Sequence, residues 1–151
     1  MRRFFSIFDA FLLQMDRRIL LALILTTVLL LGFLDYVTGF EIGLSFFYLI
    51  PVGIATWYLG HKEGVAFALI SSLAWAVSNR LAGEIYSHEF IRYWNTGIRL
   101  SIFLVVGEIL GNLHGSLLNE QSLSRIDFLT GINNRREFYL RANQEILNSR
   151  R

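Results

Sequence analysis

Charged residues gather in clusters along this chain, and between the clusters run four long, largely uncharged stretches. The first covers 19–34, between Arg17-Arg18 and Asp35. The second covers 42–59, between Glu41 and the polar triplet His61-Lys62-Glu63, and the third covers 64–79 and closes at Arg80. The fourth, 94–118, is apolar overall but carries Arg99 and Glu108. A membrane-crossing helix needs ~20 mostly apolar residues, with ~17 tolerated. Interfacial residues such as Tyr36, Val37 and Tyr58 extend the shorter runs toward that length. In hydrocarbon every backbone N–H and C=O must be paired within its own segment, so helix is the conformation these runs predict. The expected fold is therefore all-α: a polytopic membrane four-helix bundle over 19–118. Pro51, inside the second run, removes one backbone donor and predicts a kink there.

Ahead of the first run, Phe4, Phe8, Phe11, Leu12 and Met15 recur at helical spacing, with Arg2, Arg3, Asp9 and Asp16 between them. This pattern predicts an amphipathic segment over 1–18 lying in the inner interface. A cleaved signal peptide is the rival reading, but no small-x-small site precedes the next polar stretch. Basic residues precede the first run, occur in the 61–63 turn as Lys62 and recur in the tail after 118, whereas the 35–43 loop holds two acids and no Lys or Arg. The positive-inside rule then places both termini in the cytoplasm. Arg80 and Arg92, in the second outer loop, oppose this weakly.

Composition supports the same class. Of 151 residues, 54% are hydrophobic and 17% charged, against ~25% charged in ordinary soluble domains. A soluble bundle of unusually apolar helices is the alternative, and three such runs in close succession argue against it. The chain has no cysteine, which removes disulfides, thiolate metal sites and a thiol nucleophile together. His61, His88 and His114 lack ligand spacing, so no metal site is expected. No phosphate-binding loop or hydrolytic motif occurs, and nothing points to a nucleic-acid partner.

Ionisable residues at bilayer depth are costly and are functional candidates by default. Glu108 lies ~13 Å along a helix from Arg99, which predicts a position near mid-membrane. Ser101, Glu108, Asn112 and Asn119 share one helical face, and Gly107, Gly111 and Gly115 form an adjacent small-residue stripe suited to close packing. A third face carries Phe103, Val106, Leu110, Leu113 and Leu117 at heptad-like spacing. We expect that seam to pair two copies in a parallel homodimer while the other two faces look into the protomer's own bundle; ordinary bundle core is the competing reading. The outer loop acids and aromatics suggest a signal or ligand pocket formed by Asp35, Tyr36, Glu41, Tyr48, Trp75, Arg99, Glu108 and Asn112. Its aromatic lining suits a small apolar or amphiphilic ligand, although interfacial anchoring accounts for such aromatics equally well.

After 118 the chain turns polar, and 119–126 reads as a linker helix. Asp127-Phe128-Leu129-Thr130-Gly131-Ile132-Asn133-Asn134-Arg135-Arg136-Glu137-Phe138 follows, a turn leading into an amphipathic helix capped by an asparagine. This segment resembles the opening of a GGDEF domain, the catalytic module of diguanylate cyclases, whose pattern is D-x-L-T-G-L-x-N-R-R-x-F. Asp127, Leu129, Thr130, Gly131, Asn134, Arg135, Arg136 and Phe138 match in place, and Ile132 departs. The membrane part, with D-Y-x-T-G-x-E and S-x-F-Y-L-I-P, is more loosely similar to input regions ahead of such domains. The resemblance implies that 127–151 begins an α/β GGDEF domain and stops before its metal-binding and GTP-binding residues. No catalytic residue or cofactor is then expected in this chain; Mg and GTP would belong to the missing part of a parent enzyme making cyclic di-GMP. It further implies that Asp127, Leu129, Thr130, Gly131, Asn134 and Arg135 form a signal-transmission turn, and that the chain sits in a bacterial inner membrane. A stand-alone small membrane binding protein or transporter using Glu108, and a passive dimerising anchor, are the alternatives.

Overall fold

A computed structural model describes residues 12–39 and 42–123, with side chains placed to 120. The described residues are helical throughout their regular structure and contain no strand. The chain divides into two compact units, Met1–Leu113 and His114–Arg151, and the described residues of the second belong to the last helix.

The first helix, α1, spans Arg17–Thr38. The Asp16 carboxylate starts it by accepting from the Arg18 amide at 2.7 Å, and Gly39 stops it with φ of 76° and an N–H donated to the Asp35 carbonyl. Leu20, Ile24, Val28, Gly32 and Asp35 form its buried stripe, one residue per turn.

The second segment, α2, covers Ser45–Leu59 and is composite. A 3₁₀ turn over Ser45–Tyr48 leads into α-helix over Leu49–Ile54 and a π turn over Ala55–Leu59. Pro51 falls in the first turn of the α part, where a missing N–H is tolerated, so the expected mid-helix kink is replaced by irregularity at both ends. In the π turn Gly60 N–H reaches the Ala55 carbonyl, while the Thr56 hydroxyl donates to the Val52 carbonyl at 2.9 Å.

Gly60, at φ 113°, allows α3 to start at once, spanning His61–Leu81. The triplet 61–63 therefore opens a helix instead of forming the expected turn. The last helix, α4, runs unbroken from Glu89 to Leu123. Three helices, α1, α3 and α4, are long and apolar enough to cross a membrane; α2, which covers most of the expected second span, is a shorter apolar segment.

The core lies among α1, α2 and α3, where Ile24, Val28, Tyr48, Val52, Ala55, Ala68 and Trp75 are buried. Thr56 is the tightest point, because Gly64 of α3 packs directly on it; Gly107 and Gly111 of α4 face it from further off, with room for a methyl group between. The exterior carries many uncovered large apolar side chains, including Leu29, Phe33, Leu73, Ile102 and Ile109. That surface suits lipid far better than water. α4 is the least enclosed helix, with 11% of its apolar window buried against 44% for α3.

Two sequence expectations about α4 change. Phe103, placed in the dimer seam, is only 2% exposed and stacks on Tyr48 at 6.4 Å, so it belongs to the protomer's own core. Glu108, expected near mid-membrane, lies level with the first residue of α3, its Oε2 at 3.3 Å from His61 Nδ1. With Arg17 pairing to Glu63 close by, this level is one end of the helical bundle. The face bearing Ser101, Glu108 and Asn112 is exposed, whereas Gly107 and Gly111 do turn inward on Thr56.

Candidate functional site

At the opposite end of the bundle four elements converge on a buried polar cluster. Asp35 comes from the last turn of α1, Tyr48 from the 3₁₀ start of α2, Trp75 and Ser78 from α3, and Arg99 from the first third of α4. Asp35 is 2% exposed and Tyr48 fully buried, and the phenol donates to Asp35 Oδ2 at 2.9 Å. The Leu44 backbone lies beside the carboxylate, and Ser78 beside the Tyr48 hydroxyl. A buried carboxylate needs such partners, since desolvation without them costs several kcal/mol, on the order of the values for unpaired charges.

Arg99 supplies the positive charge. Its guanidinium lies 3.4 Å from the centre of the Trp75 ring and donates to the Asn95 carbonyl at 3.4 Å. It interacts electrostatically with Asp35, Glu84 and Tyr86. The side-chain Nε atoms of Arg99 and Arg92 are both buried without a hydrogen-bond partner.

The loop between α3 and α4 closes this end. Tyr86 donates to Glu84 and accepts from Asn95 Nδ2 at 3.2 Å, while Arg92 lies 5.9 Å from its ring centre and pairs with Glu89 at 2.9 Å. Burial and the Glu84 hydrogen bond push the Tyr86 phenol above its ordinary pKa, so it remains a neutral donor.

Of the eight residues proposed from sequence as a pocket, Asp35, Tyr48, Trp75 and Arg99 meet here. Tyr36 is half exposed and lines a groove between α1 and α3. Glu108 and Asn112 lie at the other end, where Asn112 Nδ2 donates to Glu108 Oε1 at 3.1 Å. The eight therefore do not form a single site. Glu41 and the residues of the transmission turn, Asp127, Leu129, Thr130, Gly131, Asn134 and Arg135, lie outside the described residues. Sequence reasoning missed Ser78, Glu84, Tyr86 and Asn95. A signal for Ser78 existed: Ser71, Trp75 and Ser78 recur at helical spacing within an apolar run. No group of metal-ligating side chains occurs among the described residues.

Chemically, the cluster is a hydrogen-bonded carboxylate–phenol pair beside a stacked guanidinium, with no nucleophile set against a base. It is suited to holding charge and polar groups in a fixed geometry. No protein family, characterised protein or solved structure compared with this chain matches it.

Proposed function

We propose that this chain is the membrane sensor and regulatory region of a bacterial diguanylate cyclase, a four-helix input bundle with both termini in the cytoplasm of an inner-membrane protein. The observation that carries the reading is α4. One unbroken helix contributes Arg99 to the buried cluster and is described as far as Leu123, four residues ahead of the Asp127-x-Leu129-Thr130-Gly131 motif that resembles a GGDEF opening. A change in the Asp35–Tyr48–Arg99 cluster would thus act on the helix that leads to the tail. In a homodimer, two such helices would set the spacing of the two cyclase domains that form cyclic di-GMP from GTP. With Phe103 inside the protomer, pairing falls to Leu113 and Leu117, which are exposed, aided by the half-covered Val106 and Leu110.

The reading is tested in the full-length parent by assaying cyclic di-GMP formation in membranes. Asp35→Asn should change the set-point of activity, and Gly131→Pro should uncouple activity from the membrane region. Activity indifferent to both, or preserved when 1–118 is exchanged for an unrelated dimeric anchor, would reduce the bundle to an anchor. The transporter alternative is weakened by Glu108, whose side chain is 56% exposed and engaged with His61 at the bundle's end.

A further inference from the structure

At the end of the bundle away from Arg99, α4 meets the start of α3 through a pair of titratable side chains. Glu108 Oε2 stands 3.3 Å from His61 Nδ1, and the two side chains are 56% and 61% exposed. Both groups are therefore within reach of water and its protons. His61 is the first residue of α3, set there by the turn at Gly60. Thr56, Gly64 and Gly107 surround a void of about 10 Å³, room for one water, and His61 and Glu108 are the exposed members of its lining. At this level a gap separates α4 from α2 and α3, and the polar pair bridges it.

The other charged groups nearby are accounted for. Arg17 of α1 is engaged with Glu63, the acid in the first turn of α3, and Lys62 is exposed. α2 presents Thr56, which is uncharged and donates within its own helix. On α4, Asn112 Nδ2 donates to Glu108 Oε1 at 3.1 Å and leaves Oε2 to His61. His114, the next imidazole on α4, is roughly 9 Å further along the helix than Glu108. Free imidazoles take up a proton at pH ~6.5, whereas free glutamate carboxyls do so only at ~4.3. Between those values an imidazole and a carboxylate carry opposite charges. A neutral imidazole offers a carboxylate at most one ordinary hydrogen bond, and the charge-assisted bond of an imidazolium is roughly twice as strong.

We propose that His61 and Glu108 form a proton-operated clasp, which draws α4 onto the start of α3 when the imidazole is charged and lets it stand off when the imidazole is neutral. The helix it acts on is the least enclosed of the bundle and the one that leads to the tail. The clasp does not depend on what the tail is. Under the sensor reading this end lies in the cytoplasm, and the clasp passes cytoplasmic acidification to the same helix that Arg99 engages at the other end.

The chain has no cysteine, so two can be introduced for labelling. Nitroxides at Leu69→Cys of α3 and Ile109→Cys of α4, both exposed positions, report the separation of the two helices by double electron–electron resonance. The full chain is used in phosphatidylcholine nanodiscs, diluted with unlabelled chain so that only pairs within one protomer are read. From about pH 8 to about pH 5.5 the ratio of shorter to longer separations should rise about two- to fivefold, the range that one exposed ion pair supplies. His61→Gln and Glu108→Gln should each remove the response, and His61→Arg should hold the shorter separation at both pH values. These side chains are exposed, so the substitutions leave the core intact. His114→Gln should leave the response in place. A native separation that does not change with pH overturns the proposal. So does a response that survives His61→Gln or Glu108→Gln, or one that His114→Gln removes. Cyclic di-GMP formation is not measured, so the clasp and the sensor reading fail or stand separately.

Discussion

Replacing Gly64 by alanine should loosen the bundle at its tightest point. The new Cβ would stand 3.0 Å from Thr56 Cβ and 3.2 Å from Thr56 Cα, with Thr56 Oγ1 closer still. Two of these atoms are fixed to backbone geometry, so no rotamer change relieves them, and α2 and α3 must separate by roughly 0.5 Å. A gap of that size forfeits about a quarter to a half of each affected dispersion contact. Overpacking of this kind costs ~1–3 kcal/mol. Alanine returns up to ~1 kcal/mol through helix propensity, leaving a net loss of ~0–2 kcal/mol, so the comparison with a glycine in open space carries the test. Gly97 is the internal control, since a Cβ there meets nothing within 4 Å, and Gly97→Ala should be neutral or stabilising by up to ~1 kcal/mol. Thr56→Ala should rescue Gly64→Ala only in part, because the Cα and Cβ contacts remain. Unfolding in detergent, followed by circular dichroism, measures the set. A Gly64→Ala protein as stable as Gly97→Ala would refute the close α2–α3 contact.

The remaining predictions concern the two ends and the long helix. Tyr48→Phe removes a donor from a carboxylate that is 2% exposed and should destabilise the chain by ~1–3 kcal/mol in the same assay; a change within error would mean that Asp35 is satisfied without the phenol. Glu108→Gln should change stability by no more than ~1 kcal/mol, because its contact with His61 is between exposed groups, and a larger loss would restore Glu108 as a buried structural residue. In membranes, Leu113→Cys should form a disulfide-linked dimer on oxidation while Phe103→Cys should not; the reverse pattern would return Phe103 to a dimer seam.

The periodicity of charge and apolar residues was enough to place α1, α3 and α4, because lipid-facing helices leave long uncharged runs. It misjudged α2, since its apolar run includes 42–44, which the structure leaves outside the helix, and a composite helix has no sequence period of its own. In the site, Arg99 stood out as a charge inside an apolar run, and Asp35, Tyr48 and Trp75 as an acid and aromatics near the outer edge; the burial of Asp35 was not legible, because a residue that closes an apolar run reads as a solvated loop acid. Their separation from Glu108 and Asn112 was invisible, because depth on α4 depends on where α3 starts. Gly60 sets that start through a positive φ, which the sequence states only as one glycine among 12. The burial of Phe103 was hidden for a related reason: heptad spacing describes a stripe on a helix and is silent on which neighbour covers it.

The spacing around Thr56 has a mechanical consequence. A Cβ added at Gly107 or Gly111 would meet Thr56 only at ordinary contact distance, whereas one added at Gly64 would collide with it. α2 and α3 are therefore locked together, while α4 lies against them with about a methyl group's slack and with only 11% of its apolar window buried. Of the long helices, α4 is the one that a small change in its surroundings can move at least cost.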